Sequence, residues 1–146
     1  MARIEVFTDG ACRGNPGPGA WAAIVRVTDA PERELSGFEA ATTNNRMELS
    51  AAIEGLAATP PGSVIRLSTD SRYVVDGMTQ WVAGWIRRGW RKADRSPVLN
   101  QELWQRLVAE AGKRKVEWAW VEGHAGHPEN ERCDVLANLE IDRHRR

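Results

Sequence analysis

Cysteine, tyrosine and phenylalanine are scarce in this chain, and it carries no net charge and no long hydrophobic run. Its two cysteines, Cys12 and Cys133, are too few for a disulfide framework, and in a reducing compartment they stand as free thiols. No apolar stretch approaches the ~20 residues that span a bilayer. The start, Met1 to Glu5, lacks the apolar core of a signal peptide, so a cytoplasmic protein with no membrane partner is expected. Twenty basic residues balance 20 acidic ones, so any affinity for a polyanion must come from the distribution of charge rather than its total. With 146 residues, 42% hydrophobic and 27% charged, the chain fits one domain, 1–146, with a core of its own. Against one tyrosine and two phenylalanines stand seven tryptophans. Trp81, Trp85 and Trp90 fall in one segment, 81–97, where Arg87, Arg88, Arg91, Lys92 and Arg95 face Asp94 alone.

Hydrophobic periodicity divides the chain into strands and helices. Ile4, Val6 and Thr8 alternate with Glu5, Phe7 and Asp9, as a strand requires. The run Gly10 to Gly19 reads as turn chemistry that ends it, and a second strand is predicted over about 20–27. A third is placed over about 34–40. Leu49, Ile53 and Leu56 then share one face of a helix over 47–58, stopped by Thr59-Pro60-Pro61-Gly62. A fourth strand follows at 64–69, a helix at 71–78, and a short helix and loop through the tryptophan-rich segment. Leu103, Trp104, Leu107, Val108 and Ala111 form the apolar stripe of a helix over 99–111. A fifth strand over 115–121 and a last helix over 129–139 complete the order βββαβαααβα, an α/β domain with a mixed sheet.

Four acids occupy positions where acids are structurally awkward. Asp9 and Asp70 end apolar strands, Glu48 lies in the first turn of a helix with an apolar face, and Asp134 lies near the start of the last helix. If Asp9 and Asp70 end neighbouring parallel strands, their carboxylates converge on one sheet edge, where ligands bind in α/β folds. Clustered carboxylates repel unless a cation neutralises them, and hard oxygen ligands favour Mg²⁺ or Mn²⁺. Each acid also has a plain structural role open to it. Asp9 before Gly10 is a turn signal, Asn45-x-x-Glu48 has capping-box spacing, Asp70 is a possible N-cap, and Asp134 suits an acidic helix start.

The blocks Thr8-Asp9-Gly10, Gly14-Asn15-Pro16-Gly17-Pro18-Gly19, Thr43-Asn44-Asn45-Arg46-Met47-Glu48, Thr69-Asp70-Ser71 and Gly123-His124-Ala125-Gly126-His127-Pro128-Glu129-Asn130-Glu131-Arg132-Cys133-Asp134 resemble type 1 ribonuclease H, bacterial form. The likeness covers nearly the whole chain. It implies a ribonuclease H-like fold, a five-stranded mixed sheet with three antiparallel strands then two parallel, flanked by helices. It implies an endonuclease that hydrolyses the RNA strand of an RNA–DNA hybrid by a two-metal-ion mechanism, leaving 5′-phosphate and 3′-hydroxyl ends, and acting as a monomer. By this resemblance Asp9, Glu48, Asp70 and Asp134 hold two Mg²⁺ ions, with Mn²⁺ a possible substitute, and His124 assists proton movement or product departure. Zinc at His124, His127 and Cys133 is disfavoured by spacing that fits no standard site.

Further contacts follow from the same resemblance. Gly10, Cys12, Asn15, Asn44, Asn45 and Gln80 match the family's hybrid contacts, and Arg26, Thr43 and Asn100 match a pocket for a DNA-strand phosphate. The segment with Trp81, Trp85, Arg87, Arg88, Trp90, Arg91 and Lys92 resembles the family's basic protrusion. There the tryptophans are expected to pack and the cations to bind phosphates with salt-dependent affinity. Three other readings fit the residues less well. A catalytically dead hybrid-binding module would lack one of the acids. Other nucleases of the superfold lack the Asn44-to-Glu48 block and the basic segment. A nucleotide-binding α/β protein needs a phosphate loop, which Gly14 to Gly19 does not supply.

Overall fold

The computed structural model describes residues 3–123 and 126–144. Five strands form one sheet in the order β3-β2-β1-β4-β5. They are β1 (Arg3–Cys12), β2 (Gly17–Val27), β3 (Arg33–Thr42), β4 (Val64–Thr69) and β5 (Lys115–Trp120). β1 pairs antiparallel with β2, and β2 with β3, while β1–β4 and β4–β5 are parallel. This is the mixed sheet expected from the sequence.

β1 is central because both its faces are buried. Ile4 and Val6 pack with Leu49, Ile53 and Leu56 of helix α1 (Asn44–Ala57) and with Leu103, Trp104 and Leu107 of helix α4 (Gln101–Gly112). Phe7, on the other face, packs with Ala20, Ala22 and Ile24 of β2 and with Cys133, Ala137 and Ile141 of helix α5 (Pro128–His144). Full burial of each of these larger aliphatic side chains contributes roughly 1.5–3 kcal/mol.

Three local expectations change. The glycine-rich run does not end β1 at Asp9. The strand continues to Cys12, paired with Gly19, and the turn is confined to the four residues between β1 and β2. Gly10 serves close approach rather than turning, since a Cβ there would lie 2.5 Å from the Glu48 backbone nitrogen. Second, Asn45 and Glu48 form no capping box. Thr43 is the N-cap of α1, its hydroxyl accepting from Arg46 N at 3.2 Å, which places Glu48 in the second turn and leaves Asn44 and Asn45 exposed. Ser71, not Asp70, caps the next helix, accepting from Val74 N. Third, residues 72–87 form one continuous helical rod: α2 (Arg72–Asp76), a π turn (Gly77–Trp81) and α3 (Val82–Arg87). Tyr73, Gly77, Trp81 and Trp85 recur every four residues, a spacing that overshoots each α-helical turn by about 40°. The wider π turn takes up the drift and keeps all four against Trp104. The ring centroids of Tyr73, Trp81 and Trp85 lie 5.1, 6.5 and 5.3 Å from that of Trp104, and a Cβ at Gly77 would run into its ring.

Candidate active site

The ladder between β1 and β4 ends at the pair Thr8–Thr69. Asp9 and Asp70 are the next residues on each strand, at the carboxyl ends of neighbouring parallel strands. Because Gly10 has no side chain, α1 sits close enough for Glu48 to join them. One carboxylate oxygen from each of Asp9, Glu48 and Asp70 lies within 4.8 Å of the others.

These carboxylates have little to neutralise them. Asp9 and Glu48 are 7% and 6% exposed. Burial, then the charges of Asp70 and Asp134, push the Asp9 carboxyl up to about 8, although Gly10 N donates to its Oδ1 at 3.0 Å. Glu48 is pushed well above the usual carboxylate range by burial, then by Asp9 and Asp70. Its Oε1 is buried and has no hydrogen-bond partner among the described residues. A buried acceptor without a donor is costly, and hard divalent cations satisfy such a cluster, so the residues present fit a metal.

Asp134 lines the same cleft, with Asp9, Asp70, Glu122, Gly123, His127, Asn130 and Glu131, but stands outside the close trio. Its Oδ1 accepts from Asn138 Nδ2 at 3.3 Å. Asn130 fastens the start of α5 to the sheet, donating to Ser68 O at 3.2 Å. The backbone at Gly123 presses on Asp70, leaving 2.8 Å between a would-be Cβ and Oδ2. His124 lies outside the described residues. Cys133 is no zinc ligand: its thiol is buried against the Phe7 carbonyl, and burial pushes its ionisation far up.

Beside the acids, Asn15 Oδ1 accepts from Asn44 N at 3.0 Å and so ties the β1–β2 turn to the start of α1. Cys12 Sγ lies 3.4 Å from Thr42 O. Asn100 donates to Tyr73 Oη and accepts from Arg46, which also pairs with Glu102. Thr43 and Asn100 are thus linked through Arg46, which belongs to the first turn of α1. Arg26 is not part of this group, and its expected place in a shared phosphate pocket is corrected. Thr42 pairs with Gly17 on β2, and Arg26 lies nine residues further along that strand, roughly 30 Å away at the usual strand rise. There its guanidinium meets Glu5, Glu32 and Glu129.

The basic segment follows α3. The rings of Trp85 and Trp90 meet at a tilt of 40° with centroids 6.3 Å apart, and Trp90 N donates to Trp85 O, holding the chain as it turns. A bridge between Arg91 and Pro97 closes a small loop. Arg87, Arg88, Arg91, Lys92 and Arg95 are all exposed, and among the described residues none of them forms an ion pair. Gln80 and Trp81 sit exposed on the π turn at its base. Sequence reasoning missed Arg13, Glu122 and Asn138, which carry no local pattern that singles them out, and gave no role to Asn130 and Glu131 although both lie in the quoted block that ends at Asp134.

An α/β sheet with a carboxylate cluster at the ends of its central parallel strands that no described cation compensates, together with a basic protrusion that forms no ion pair among the described residues, defines an enzyme that works on a polyanion through bound cations. The RNase H family profile matches residues 1–142, and the chain belongs to the ribonuclease H family. It is 61% identical over 137 residues to the ribonuclease H of Chelativorans sp. (strain BNC1), covering 94% of this chain and 84% of that one. To that of Halorhodospira halophila it is 60% identical over 139 residues, covering 95% and 93%. The crystal structure of LC9-RNase H1, a type 1 RNase H, superposes with a TM-score of 0.85 at 37% identity, covering 96% of this chain and 72% of that one.

Proposed function

We propose that the chain is one domain over 1–146 that cleaves the RNA strand of RNA–DNA hybrids endonucleolytically, leaving 5′-phosphate and 3′-hydroxyl ends. Asp9, Glu48 and Asp70, with Asp134, would hold two Mg²⁺ ions, Mn²⁺ substituting. The observation that carries this reading is the convergence of three carboxylates within 4.8 Å, one with a buried, unpartnered oxygen. When bound, such ions stabilise charge on the attacked phosphodiester and lower the pKa of bound water. The chain's own residues do the rest. Asp9 and Glu48 would ligate as carboxylates, so at these two groups metal would compete with protons. Asn44 and Asn45, exposed at the start of α1, present both donors and acceptors to the 2′-hydroxyls that distinguish RNA, with Gly10, Cys12, Asn15 and Gln80 supplying further contacts to the hybrid. Thr43 and Asn100 meet a phosphate of the DNA strand. The arginines of the protrusion and Lys92 hold more distant phosphates, and His124 moves a proton or speeds departure of product.

No helix among the described residues is long and apolar enough to cross a membrane. A monomer acting in the cytoplasm is part of the same proposal. The test is incubation with labelled RNA–DNA hybrid, duplex DNA and duplex RNA, with and without Mg²⁺. Cleavage of the hybrid's RNA strand alone, and only with metal, is expected. Equal cleavage of duplex RNA, or metal-independent cleavage, would overturn the reading.

A further inference from the structure

Asp134 stands apart from the other acids, and what holds it comes from two distant parts of the chain. Asn138 lies one helical turn further along α5. Its Nδ2 donates to Asp134 O at 2.9 Å and to Asp134 Oδ1 at 3.3 Å. The opposite end of the same amide, Oδ1, accepts from Arg13 Nη2 at 3.2 Å. Arg13 belongs to the β1–β2 turn, 125 residues away in sequence. Its Nη2 also donates to Asn138 O at 3.3 Å, and its Nη1 pairs with Asp142 on the last turn of α5.

The chemistry of the three groups makes the chain of hydrogen bonds directional. A guanidinium only donates, and an ionised carboxylate only accepts. An amide placed between them therefore has one satisfactory orientation, with its oxygen toward Arg13 and its nitrogen toward Asp134. We propose that Arg13 and Asn138 are positioning residues that act in series, Arg13 fixing the Asn138 amide and Asn138 fixing the Asp134 carboxylate for metal binding. The amide holds Oδ1 against the helix, and no hydrogen bond among the described residues holds Oδ2. Without Arg13 the amide is free to rotate and set its oxygen against Oδ1, two acceptors facing each other. Groups behind metal ligands commonly act in this way, by orienting them.

The inference rests on the four-carboxylate reading above, and the experiment separates the two. Mn²⁺ binding to the metal-free full-length chain is measured by calorimetry without nucleic acid, and hybrid KM is measured at saturating metal. Asn138→Ala is expected to weaken Mn²⁺ binding about 10-fold while leaving hybrid KM within about twofold. Asn138→Leu, which keeps the side-chain volume, is expected to match it. Arg13→Leu should weaken binding less, and Arg13→Leu/Asn138→Ala should be no worse than Asn138→Ala alone, because groups in series do not add. Asp142→Asn, which removes the Arg13–Asp142 ion pair but leaves the amide contact, should lower Tm without changing Mn²⁺ affinity. Wild-type Mn²⁺ affinity in Asn138→Ala would overturn the relay alone, as would a double variant whose loss is the product of the two single losses. A wild-type chain that binds no Mn²⁺ would overturn the four-carboxylate reading and this inference with it.

Discussion

Two groups of carboxylates in this molecule are treated in opposite ways. Around Arg26, Glu5, Glu32 and Glu129 lie within 3.5 Å of its guanidinium, and Arg132 reaches Glu32 and Glu34 at 2.9 and 3.1 Å. Hydrogen bonds from Arg132 and Arg26 hold Glu32 below its ordinary range. At the sheet edge, no cation among the described residues pairs with Asp9 or Glu48, and burial with like charge drives them the other way. The first group neutralises itself and joins β1, β2 and the β2–β3 connection to the start of α5. The second is left unbalanced in a buried place, an arrangement that disfavours the folded chain and is relieved only by protons or metal. The arginines of the protrusion mirror it in sign: they are exposed and form no ion pair among the described residues, as the proposed contact with phosphates requires. Charges balanced inside this protein join its elements, and charges left unbalanced are the ones proposed to meet metal and phosphate.

The largest expected effect comes from breaking the unbalanced group. Asp70→Asn should cut Mg²⁺-dependent cleavage by on the order of 10³-fold or more, while the metal-free Tm holds or rises because a repulsion on Asp9 and Glu48 is gone. Cleavage within tenfold of wild type, in a matched hybrid assay, would refute its role. The basic protrusion comes next. Changing Arg87, Arg88, Arg91 and Lys92 together to Ala should raise hybrid KM about 10-fold or more with little change in kcat, since these groups would bind ground and transition states alike. The slope of log affinity against log salt should become shallower by roughly 0.9 per lost phosphate contact. An unchanged slope would make the protrusion purely structural.

Protonation sharpens the contrast further. Burial and the neighbouring carboxylates push the Asp9 carboxyl up from its ordinary 3.8 to about 8 in the fold, so between those pH values the folded state binds the extra proton. The contribution of this site to stability therefore falls as pH rises from about 4 to about 8. Mg²⁺ binding at pH 7 should release protons, and the Asp9 share should vanish above pH ~9. Calorimetry in buffers of different ionisation enthalpy reads this directly, and binding at pH 7 without proton release would contradict the raised carboxyls. The smallest effect belongs to the balanced group. Arg26→Met should cost about 1 kcal/mol or less in urea melts, as half-exposed ion pairs do, and hybrid KM should stay within about twofold. A tenfold rise in KM would return Arg26 to the substrate.

Much of this was legible in the linear chain. Strands and helices announce themselves by periods of two and 3.6, because each must bury one face. From that pattern the order of elements, and the placement of Asp9 and Asp70 at the ends of two apolar strands, could be read directly. The tryptophans of 81–97 were expected to pack, and Trp85 and Trp90 do so against the core, while Trp81 contacts Trp104 yet stays exposed. What local pattern misjudged were residues whose role depends on a distant neighbour. Gly10 looked like a turn, but it is the gap through which Glu48 reaches Asp9. Asn45 looked like a cap, yet Thr43 supplies the hydroxyl.

The amino-acid sequence by itself determined the kind of fold, the family and the four acids, because those depend on residue type and spacing along the chain. Only the tertiary structure decided how the charges divide. It brought three acids within reach of one another and set Asp134 apart behind Asn138 and Arg13. It took Arg26 away from Thr43 and Asn100 to the Glu5 end of β2. The physical reason is range: periodicity and capping act over a few residues, whereas a charge responds to whatever the fold packs within a few ångströms of it, as Arg13 meets Asn138 across 125 residues of chain.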